Sequence, residues 1–299
     1  MQAPQVETVK LDELNCWRIR HGQAELLVAQ QGAHILSYQV AGEQPLIWLN
    51  KQATFKKGTP IRAGIPVCWP WFGNFERNPD SVQAMRQSVE PAKAHGEVRA
   101  LDWQLLGISN EGDSLLVEFA LPETEGQIAG WAHDVALRLS IRLDAQLHVS
   151  LTSHNKGQED VTLSQALHSY FAVSDVRQVS IEGLDGLRYI DTLQNWEECV
   201  QSADLQFVGE TDRIYLNTPN HLSVVDPDWN RRIVINTKGS RSAVIWNPWI
   251  ERAKNFSDMA DDGWQGMVCV ETANVMGDVV TLGPDASHTL TVSIGSEPL

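Results

Sequence analysis

Two titratable residues in otherwise apolar stretches are the first candidates for chemistry. His168 lies in the segment 161–170, and Glu271 lies in the mostly apolar run 268–274. Histidine is the usual proton carrier near neutral pH, and a carboxylate withdrawn from water holds a proton more tightly. His168 could therefore donate a proton and Glu271 could accept one. The residue types also allow a structural alternative, with a hydrogen-bonded histidine on a sheet and a glutamate in a buried salt bridge.

A third candidate, Arg62, lies in a segment rich in aromatic residues and proline. The run 61–73 reads IRAGIPVCWPWFG, and its apolar character predicts that it is largely buried. Its two prolines exclude a helix or a central strand along the whole run. Arg62 is then either neutralised by a carboxylate or bound to an anionic ligand, since a guanidinium binds phosphate through two parallel hydrogen bonds. In the second case the aromatic residues would form a wall for the apolar face of a sugar ring.

The elements that position these residues are predicted to be strands. Apolar and polar residues alternate over 133–143 and again over 147–151, which indicates a β-hairpin with one face in a core. The segment 161–170 also alternates and places His168 on its small, partly polar face. Only 81–90, with Asp80 as a possible cap, predicts a helix. Further strands are predicted over 24–29, 33–40, 114–121, 233–236, 243–246, 267–272 and 289–294.

Many short strands without a repeating helical pattern favour an all-β antiparallel sandwich or barrel. We find no internal repeat and no linker, so the prediction is a single domain over residues 1–299. A chain of 299 residues with 42% hydrophobic content can bury a large core.

Composition and charge narrow the class of partner and the compartment. The net charge of −15 argues against a nucleic-acid or membrane-surface protein, although arginines gathered in one cleft could still bind an anionic substrate. Four widely spaced cysteines without a CxxC pair are typical of a reducing cytoplasm and not of a disulfide framework or a zinc site. The first 14 residues lack the apolar core of a signal peptide, and no run approaches the length of a membrane span. We therefore expect a soluble cytoplasmic protein.

Two further motifs are weak signals when taken alone. His95-Gly96 is followed by Arg99, and Gly96 could let a backbone approach a ligand closely. Asp212-Arg213 opens a short predicted strand. A surface turn and a solvated pair of opposite charges are the ordinary explanations of these motifs.

The order of these motifs resembles the aldose 1-epimerase superfamily, and within it the glucose-6-phosphate 1-epimerase branch. Relatives have an Arg-Gly-Gly-like turn, a Pro- and aromatic-rich Phe-Gly segment, a His-Gly pair followed by Arg, and strands reading Leu-His-x-Tyr-Phe, Asp-Arg-x-Tyr and Val-x-x-Glu-Thr. The corresponding stretches here are Arg62, 69–73, His95-Gly96, Arg99, 167–171, 212–215 and 268–272, so the resemblance covers about residues 31–272.

The resemblance implies a large antiparallel β-sandwich with few short helices and an enzyme that interconverts the α and β anomers of a hexose 6-phosphate. It implies that His168 is the acid and Glu271 the base. The substrate-binding residues that it implies are Arg62, His95, Arg99 and Asp212. The two arginines would bind the phosphate, and Asp212 would bind sugar hydroxyls. No cofactor or metal is expected, and the sequence has no GxGxxG after a strand, no P-loop and no HExxH. The expected partner is a small-molecule substrate, and the expected state is a monomer.

Three departures from the family pattern leave the sugar specificity open. Ala63 replaces the first Gly of the usual pair, and Ala94 stands where relatives have a polar residue before His-Gly. Glu97-Val98 follows that motif in place of a bulky apolar residue and a small one, and the lid-like segment 74–93 is long.

Three other functions are compatible with the same residues. The first is a non-catalytic sugar-phosphate-binding or regulatory protein on this scaffold. The second is a mutarotase for unphosphorylated aldoses. The third is a glycoside hydrolase that uses Glu271 and Asp212 as a carboxylate pair, which would leave His168 without a role.

Overall fold

The computed structural model describes residues 4–299, and antiparallel strands dominate it. The strands, in chain order, are β1 (Gln5–Leu11), β2 (Leu14–His21), β3 (Ala24–Ala29), β4 (Ile35–Val40), β5 (Val67–Cys68), β6 (Gln104–Glu111), β7 (Ser114–Leu121), β8 (Val135–Leu143), β9 (Leu147–Asn155), β10 (Val161–Leu163), β11 (Gln165–Leu167), β12 (Tyr170–Ala172), β13 (Ser180–Glu182), β14 (Arg188–Asp191), β15 (Glu197–Val200), β16 (Leu205–Gln206), β17 (Thr211–Leu216), β18 (His221–Asp226), β19 (Arg231–Lys238), β20 (Ser242–Asn247), β21 (Met267–Asn274), β22 (Val280–Leu282) and β23 (Ser287–Pro298).

Helices are short and few in this part of the chain. The α-helices are α1 (Asp80–Gln83) and α2 (Trp249–Ala253), and the 3₁₀ helices are Phe75–Arg77, Val98–Ala100, Pro227–Trp229, Gly263–Gly266 and Met276–Asp278. Within residues 4–299, no helix has the length and apolar character needed to cross a membrane.

Two large sheets form the body of the protein. The nine-stranded sheet has the order β16-β13-β18-β19-β23-β9-β8-β7-β6, and the eight-stranded sheet follows β15-β14-β17-β20-β21-β11-β5 with β12 also paired to β21. A four-stranded meander, β1–β4, and the pair β10-β22 complete the strands. Apolar side chains from both large sheets and the meander meet in one buried cluster, for example Leu139 of β8, Val270 of β21 and Leu26 of β3. This is the predicted antiparallel sandwich.

Alternating burial explains why these sequences form strands. In β8, the odd-numbered residues from Val135 to Leu143 are buried, and the residues between them are intermediate or exposed. The ladder β8-β9 begins at the pair Val135↔Asn155 and ends at Leu143↔Leu147, which is the hairpin that the sequence predicts. A shift of one residue would turn this apolar face to water, so the pattern fixes the register.

The central strand β21 of the eight-stranded sheet is buried on both faces, and the second face of this sheet carries polar residues. All eight residues of β21 are buried. Val268 and Val270 point into the main core, so Glu271 points to the opposite face. On β20, Ile245 belongs to the main core, which puts Trp246 on the same side as Glu271. This second face of the sheet is where the candidate site lies.

The helix predicted over 81–90 is wrong beyond its first turn. The structure has a helix only at Asp80–Gln83, and Asp80 is its first residue and not its cap, because Pro79 occupies the cap position. Four residues further on, the Gln87 N–H donates to the carbonyl of Gly130 at 2.8 Å, whereas a continued helix would have it donate to the carbonyl of Gln83. A long-range backbone contact therefore overrides the local helical spacing.

The predicted strand over 161–170 is broken into β10, β11 and β12. The break next to His168 is a tight turn in which the Ser169 N–H donates to the Leu167 carbonyl at 2.9 Å. The turn brings the rings of His168 and Tyr170 into a parallel stack with centroids 4.8 Å apart. In a regular strand, residues two apart lie about 6.6 Å from each other, so the continuous alternation predicted here is wrong at this point.

Candidate active site

One cavity of about 690 Å³ lies over the second face of the eight-stranded sheet. All six residues singled out in the sequence line it: Arg62, His95, Arg99, His168, Asp212 and Glu271. The structure thus brings together residues that are as much as 209 positions apart in the chain, from Arg62 to Glu271. Their individual roles remain predictions.

Strand register places the residues of the cavity floor. Asp212 on β17 lies opposite Trp246 on β20, and Val244 of β20 lies opposite Glu271 on β21. The parity of the strands therefore puts Asp212, Trp246 and Glu271 on one sheet face. His168 follows β11, which pairs with β21 on its other side. Rigid neighbouring strands hold the floor, which is a more exact placement than loops could give.

His168 and Glu271 form a close, buried pair. The Nε2 atom of His168 lies 3.4 Å from Oε1 of Glu271, with side-chain exposures of 8% and 2%. The remaining polar atoms, Nδ1 of His168 and Oε2 of Glu271, are buried without a protein hydrogen-bond partner. Buried polar atoms are normally paired, so two orphaned atoms in one cavity indicate a place for ligand hydroxyls.

Burial sets the charge state of this pair in the free protein. It lowers the pKa of His168, and the positive charges of Arg99 and Arg62 lower it further. It raises the pKa of Glu271 well above the ordinary value, and the nearby Asp212 adds to the rise. Both shifts have the same sense, because both favour a neutral pair over an ion pair. Burial therefore favours a protonated Glu271 beside a neutral His168 in the free site.

His95 is held in a strained turn beside His168. Its backbone has a φ of +63°, and the following Gly96 has a φ of +70°. A side chain at Gly96 would overlap the carbonyl oxygen of Trp69, so this turn requires glycine. Nδ1 of His95 accepts the N–H of Gly73 at 3.3 Å. Burial, Arg99, His168 and Arg62 all lower the pKa of His95, so its ring is neutral and carries its proton on Nε2, where it can donate to a ligand.

The two predicted phosphate arginines differ in their surroundings. Nε of Arg62 lies 3.2 Å from Oδ1 of Asp258, and its guanidinium carbon lies 3.8 Å from the centre of the Phe256 ring. Of the two possibilities left open for Arg62, a carboxylate partner is therefore present, and the arginine lines the cavity as well. Arg99 donates to the Ala94 carbonyl at 2.7 Å, and its Nε is buried without a partner.

The aromatic wall is made by other residues than the sequence suggests. Trp69 and Trp71 are fully buried in the core, and Phe72 is the one aromatic residue of the run 61–73 that reaches the cavity. The wall is instead a row of three rings, Tyr170, Trp246 and Phe256. Ring centroids are 6.1 Å apart between Tyr170 and Trp246, and 6.2 Å apart between Trp246 and Phe256. The row runs from His168 to the guanidinium of Arg62.

Charged residues that the sequence did not single out also line the cavity: Arg77, Glu210, Arg252 and Asp258. None of these four residues lies in a motif with a recognisable spacing. Arg252 belongs to the short helix α2, and Asp258 follows it. Trp246 lies in the predicted strand 243–246, and the structure is needed to show that its face meets the cavity. Asp212 is deeply placed, and burial raises its pKa to about 6, with a further rise from Glu210.

One cluster offers metal-ligand atoms. Possible ligand atoms of His168, Cys269 and Glu271 lie within 4.8 Å of one another. Burial raises the pKa of the Cys269 thiol well above its ordinary value, with Glu271 adding to the rise, so a metal would have to displace the thiol proton. A cation bound here would also occupy both proton carriers.

Glu97, one of the departures from the family pattern, forms an ion pair with Lys93 at 3.1 Å.

The fold and site together define a mutarotase-like class of protein. The crystal structure of a provisionally named mutarotase from Salmonella typhimurium superposes on this chain with a TM-score of 0.87 and 31% sequence identity, covering 98% of this chain and 94% of the other. The large antiparallel β-sandwich implied by the resemblance is thereby confirmed.

The chain belongs to the aldose 1-epimerase family, whose model matches residues 15–295. It is 38% identical to an Escherichia coli protein provisionally named glucose-6-phosphate 1-epimerase, over 91% of this chain and 87% of that protein. A Salmonella typhimurium protein with the same provisional name is 34% identical over 90% of this chain and 86% of its own length. The family resemblance and the prediction of an epimerase are confirmed.

Proposed function

We propose that the protein is a glucose-6-phosphate 1-epimerase, which interconverts the α and β anomers of the sugar phosphate. The observation that carries this proposal is the buried pair of His168 and Glu271, 3.4 Å apart, in the same cavity as Arg62 and Arg99. The provisional names of the two bacterial relatives agree with this substrate.

The pair suits the opening of a hemiacetal ring. Glu271 takes the proton from the C1 hydroxyl while His168 delivers one to the ring oxygen, and both oxygens are bonded to the same carbon. Rotation about the C1–C2 bond and reversal of both proton transfers then give the other anomer. No proton is gained or lost overall, and nothing is oxidised. Each positioned proton transfer typically accelerates a reaction by about 100- to 10,000-fold.

The charge state of the free site matches the open-chain intermediate. After ring opening, Glu271 is protonated and His168 is neutral, which is the state that burial favours in the empty cavity. Opening requires the proton to start on His168. Sugar hydroxyls that donate to Glu271 stabilise its charged form, and a phosphate that neutralises Arg99 and Arg62 removes two influences that lower the pKa of His168.

The covalent structure of the substrate places its phosphate on the histidine side. C6 is bonded to C5, which carries the ring oxygen that His168 protonates. A phosphate on C6 is therefore attached at the ring-oxygen end of the sugar, which faces His168. It points away from the hydroxyls of C2 and C3. The two arginines whose charges act on His168 are the ones proposed to bind it. Asp212, on the same floor as Glu271, is proposed to bind sugar hydroxyls, with His95 as a further donor.

The test is turnover by variants of the pair. We expect His168→Ala and Glu271→Gln to remain folded and to lose most of their acceleration of glucose 6-phosphate mutarotation, followed by polarimetry against buffer. Full activity in either variant would remove that residue from the mechanism. A wild-type protein that binds the sugar phosphate without accelerating mutarotation would indicate a sugar-phosphate sensor instead.

We also propose that the chain works as a single-domain monomer in the cytoplasm. A family match from residue 15 to residue 295 supports one domain, and four free cysteines agree with a reducing compartment. One cooperative unfolding transition and a solution mass near 33.3 kDa are expected, and two separate transitions or a larger mass would contradict the respective part.

A further inference from the structure

We propose that Asp258 is a positioning residue that, together with Phe256, orients Arg62 to bind the substrate phosphate. This inference rests on the proposed function and adds a residue that determines the preference for phosphorylated over free sugars. Asp258 itself is not expected to contact the reacting atoms.

The contacts of Arg62 leave one edge of its guanidinium available. Nε is taken by Oδ1 of Asp258 at 3.2 Å, and one face is covered by the Phe256 ring at 3.8 Å. Within residues 4–299 the guanidinium makes no other hydrogen bond, so both terminal nitrogens are free. The side chains of Arg62 and Asp258 are 29% and 32% exposed, and both residues line the cavity. The free edge is the one that binds phosphate through two parallel hydrogen bonds.

Orientation matters because an arginine side chain is long and flexible. Binding a phosphate with both terminal nitrogens requires the planar group to be held in one direction, and freezing it only at the moment of binding weakens affinity. An anchor on Nε and a ring against one face fix this direction before the ligand arrives. The two side chains are about a third exposed, so the ion pair adds little to stability by itself. The position of Asp258 is better explained by its fixing the direction of the Arg62 guanidinium.

The anchor is itself held in place. The amide of the buried Asn50 donates to the backbone carbonyl of Asp258. Met259, the next residue, is buried in the main core. The hydrogen bond to its own carbonyl and the burial of the next side chain therefore fix Asp258, while its carboxylate stays at the cavity surface.

Phe256 connects this arginine to the catalytic pair. Its ring packs on Trp246, Trp246 packs on Tyr170, and Tyr170 stacks on His168 at 4.8 Å. The direction of the Arg62 edge is thus fixed relative to His168 through contacts between rigid rings. A phosphate bound there would hold C5 and the ring oxygen at a constant distance from the acid.

The charge of Asp258 and its hydrogen bond have opposite effects on a phosphate. The negative charge repels the ligand, whereas the hydrogen bond to Nε orients the arginine. Asp258→Asn removes the charge and keeps an acceptor oxygen for Nε. Asp258→Ala removes both. The two variants therefore separate positioning from simple charge.

The experiment measures inorganic phosphate binding by calorimetry, and kcat and KM for glucose 6-phosphate and free glucose. We expect Asp258→Ala to weaken phosphate binding and raise KM for glucose 6-phosphate by about three- to tenfold, as when a partly exposed charged contact and its preorganisation are lost. Its rate with free glucose should stay unchanged, and its kcat for glucose 6-phosphate should change less than its KM. Asp258→Asn should restore phosphate affinity to the wild-type level or better. Glu210→Ala, which removes another acidic side chain from the cavity, serves as the matched control and should not weaken phosphate binding.

Four results would overturn the inference. Tighter phosphate binding by Asp258→Ala would make Asp258 a competitor of the phosphate, and equal weakening in both variants would show that the charge or the local fold matters instead. Equal losses with phosphorylated and free sugars would deny a role in specificity, and a wild-type protein that does not bind phosphate would remove its basis. If the three proteins differ in phosphate affinity as expected but the wild type does not accelerate mutarotation, the proposed function is refuted. The role of Asp258 in positioning Arg62 would still hold.

Discussion

Replacing Glu271 by Gln separates stability from catalysis at the centre of the cavity. Glu271 is 1% exposed, and burial with the nearby Asp212 raises its pKa well above the ordinary value. The folded protein therefore keeps the carboxyl protonated at a pH where the unfolded chain releases the proton. Gln has nearly the same shape and is neutral at every pH. The substitution should remove the proton carrier and leave the packing unchanged.

The expected effect on stability follows from linkage. A Glu whose folded pKa is raised contributes stability below its unfolded pKa, near 4.5, and loses that contribution as pH rises through its folded pKa. Relative to wild type, Glu271→Gln should therefore gain unfolding free energy by up to about 1.4 kcal/mol per pH unit above pH 4.5, until the folded pKa is reached. An ionised pair with His168 would give the opposite sign, because removing one partner of a buried ion pair costs about 3–5 kcal/mol.

The expected effect on catalysis is a large loss of kcat. A missing proton transfer of about 100- to 10,000-fold corresponds to about 3–5 kcal/mol of transition-state stabilisation. The assays are urea unfolding at pH 5, 6 and 7 and mutarotation of glucose 6-phosphate by polarimetry, with Glu210→Gln as a control on the cavity rim. A variant that is destabilised by several kcal/mol at pH 7, or one with wild-type kcat, would refute this description of the site.

Three further predictions concern other parts of the site. Burial lowers the pKa of His168 and His95, so their contribution to the free energy of unfolding is present above pH 6.5. As pH falls below 6.5, each residue should lose up to about 1.4 kcal/mol of that contribution per pH unit. In urea unfolding, the unfolding free energy of His168→Gln should fall less steeply with pH than that of wild type, and an equal dependence on pH would contradict this. Gly96→Ala should cost about 2 kcal/mol or more, since its Cβ would meet the Trp69 carbonyl at a φ of +70°; an unchanged melting temperature would show that the turn relaxes. Arg62→Lys should raise KM for glucose 6-phosphate about tenfold through the loss of paired hydrogen bonds, with free glucose unaffected; equal effects on both sugars in steady-state kinetics would argue against a phosphate role.

The strands could be predicted because alternation reports which face of a sheet meets the core. Residues 24–29 and 114–121 were predicted as strands with the same bounds that β3 and β7 have in the structure. The prediction failed where a distant contact outweighs the local pattern. The Gly130 carbonyl takes the Gln87 N–H, which a continued helix would need, and a tight turn at Ser169 interrupts the alternation beside His168.

The site was predictable only in part, for a similar reason. The six residues of the family motifs reach one cavity, but periodicity alone gave only the strand face on which His168 lies. In one of the two alternatives for the run 61–73, Trp69 and Trp71 would line the ligand; they lie in the core, as the apolar character of the run predicts. Asp258 lies 196 positions from Arg62, and no local pattern in the sequence announces such a pair.

Polarimetry of freshly dissolved α-D-glucose 6-phosphate, with glucose and galactose in parallel and buffer as background, is the most direct test of the proposed epimerase. We predict faster mutarotation of the phosphorylated sugar and a much smaller effect on the free sugars, because Arg62 and Arg99 share the cavity with His168 and Glu271. Acceleration of free sugars alone would keep the acid–base pair and remove the two arginines from substrate binding. No acceleration of any sugar, with the sugar phosphate still bound, would contradict the proposed function.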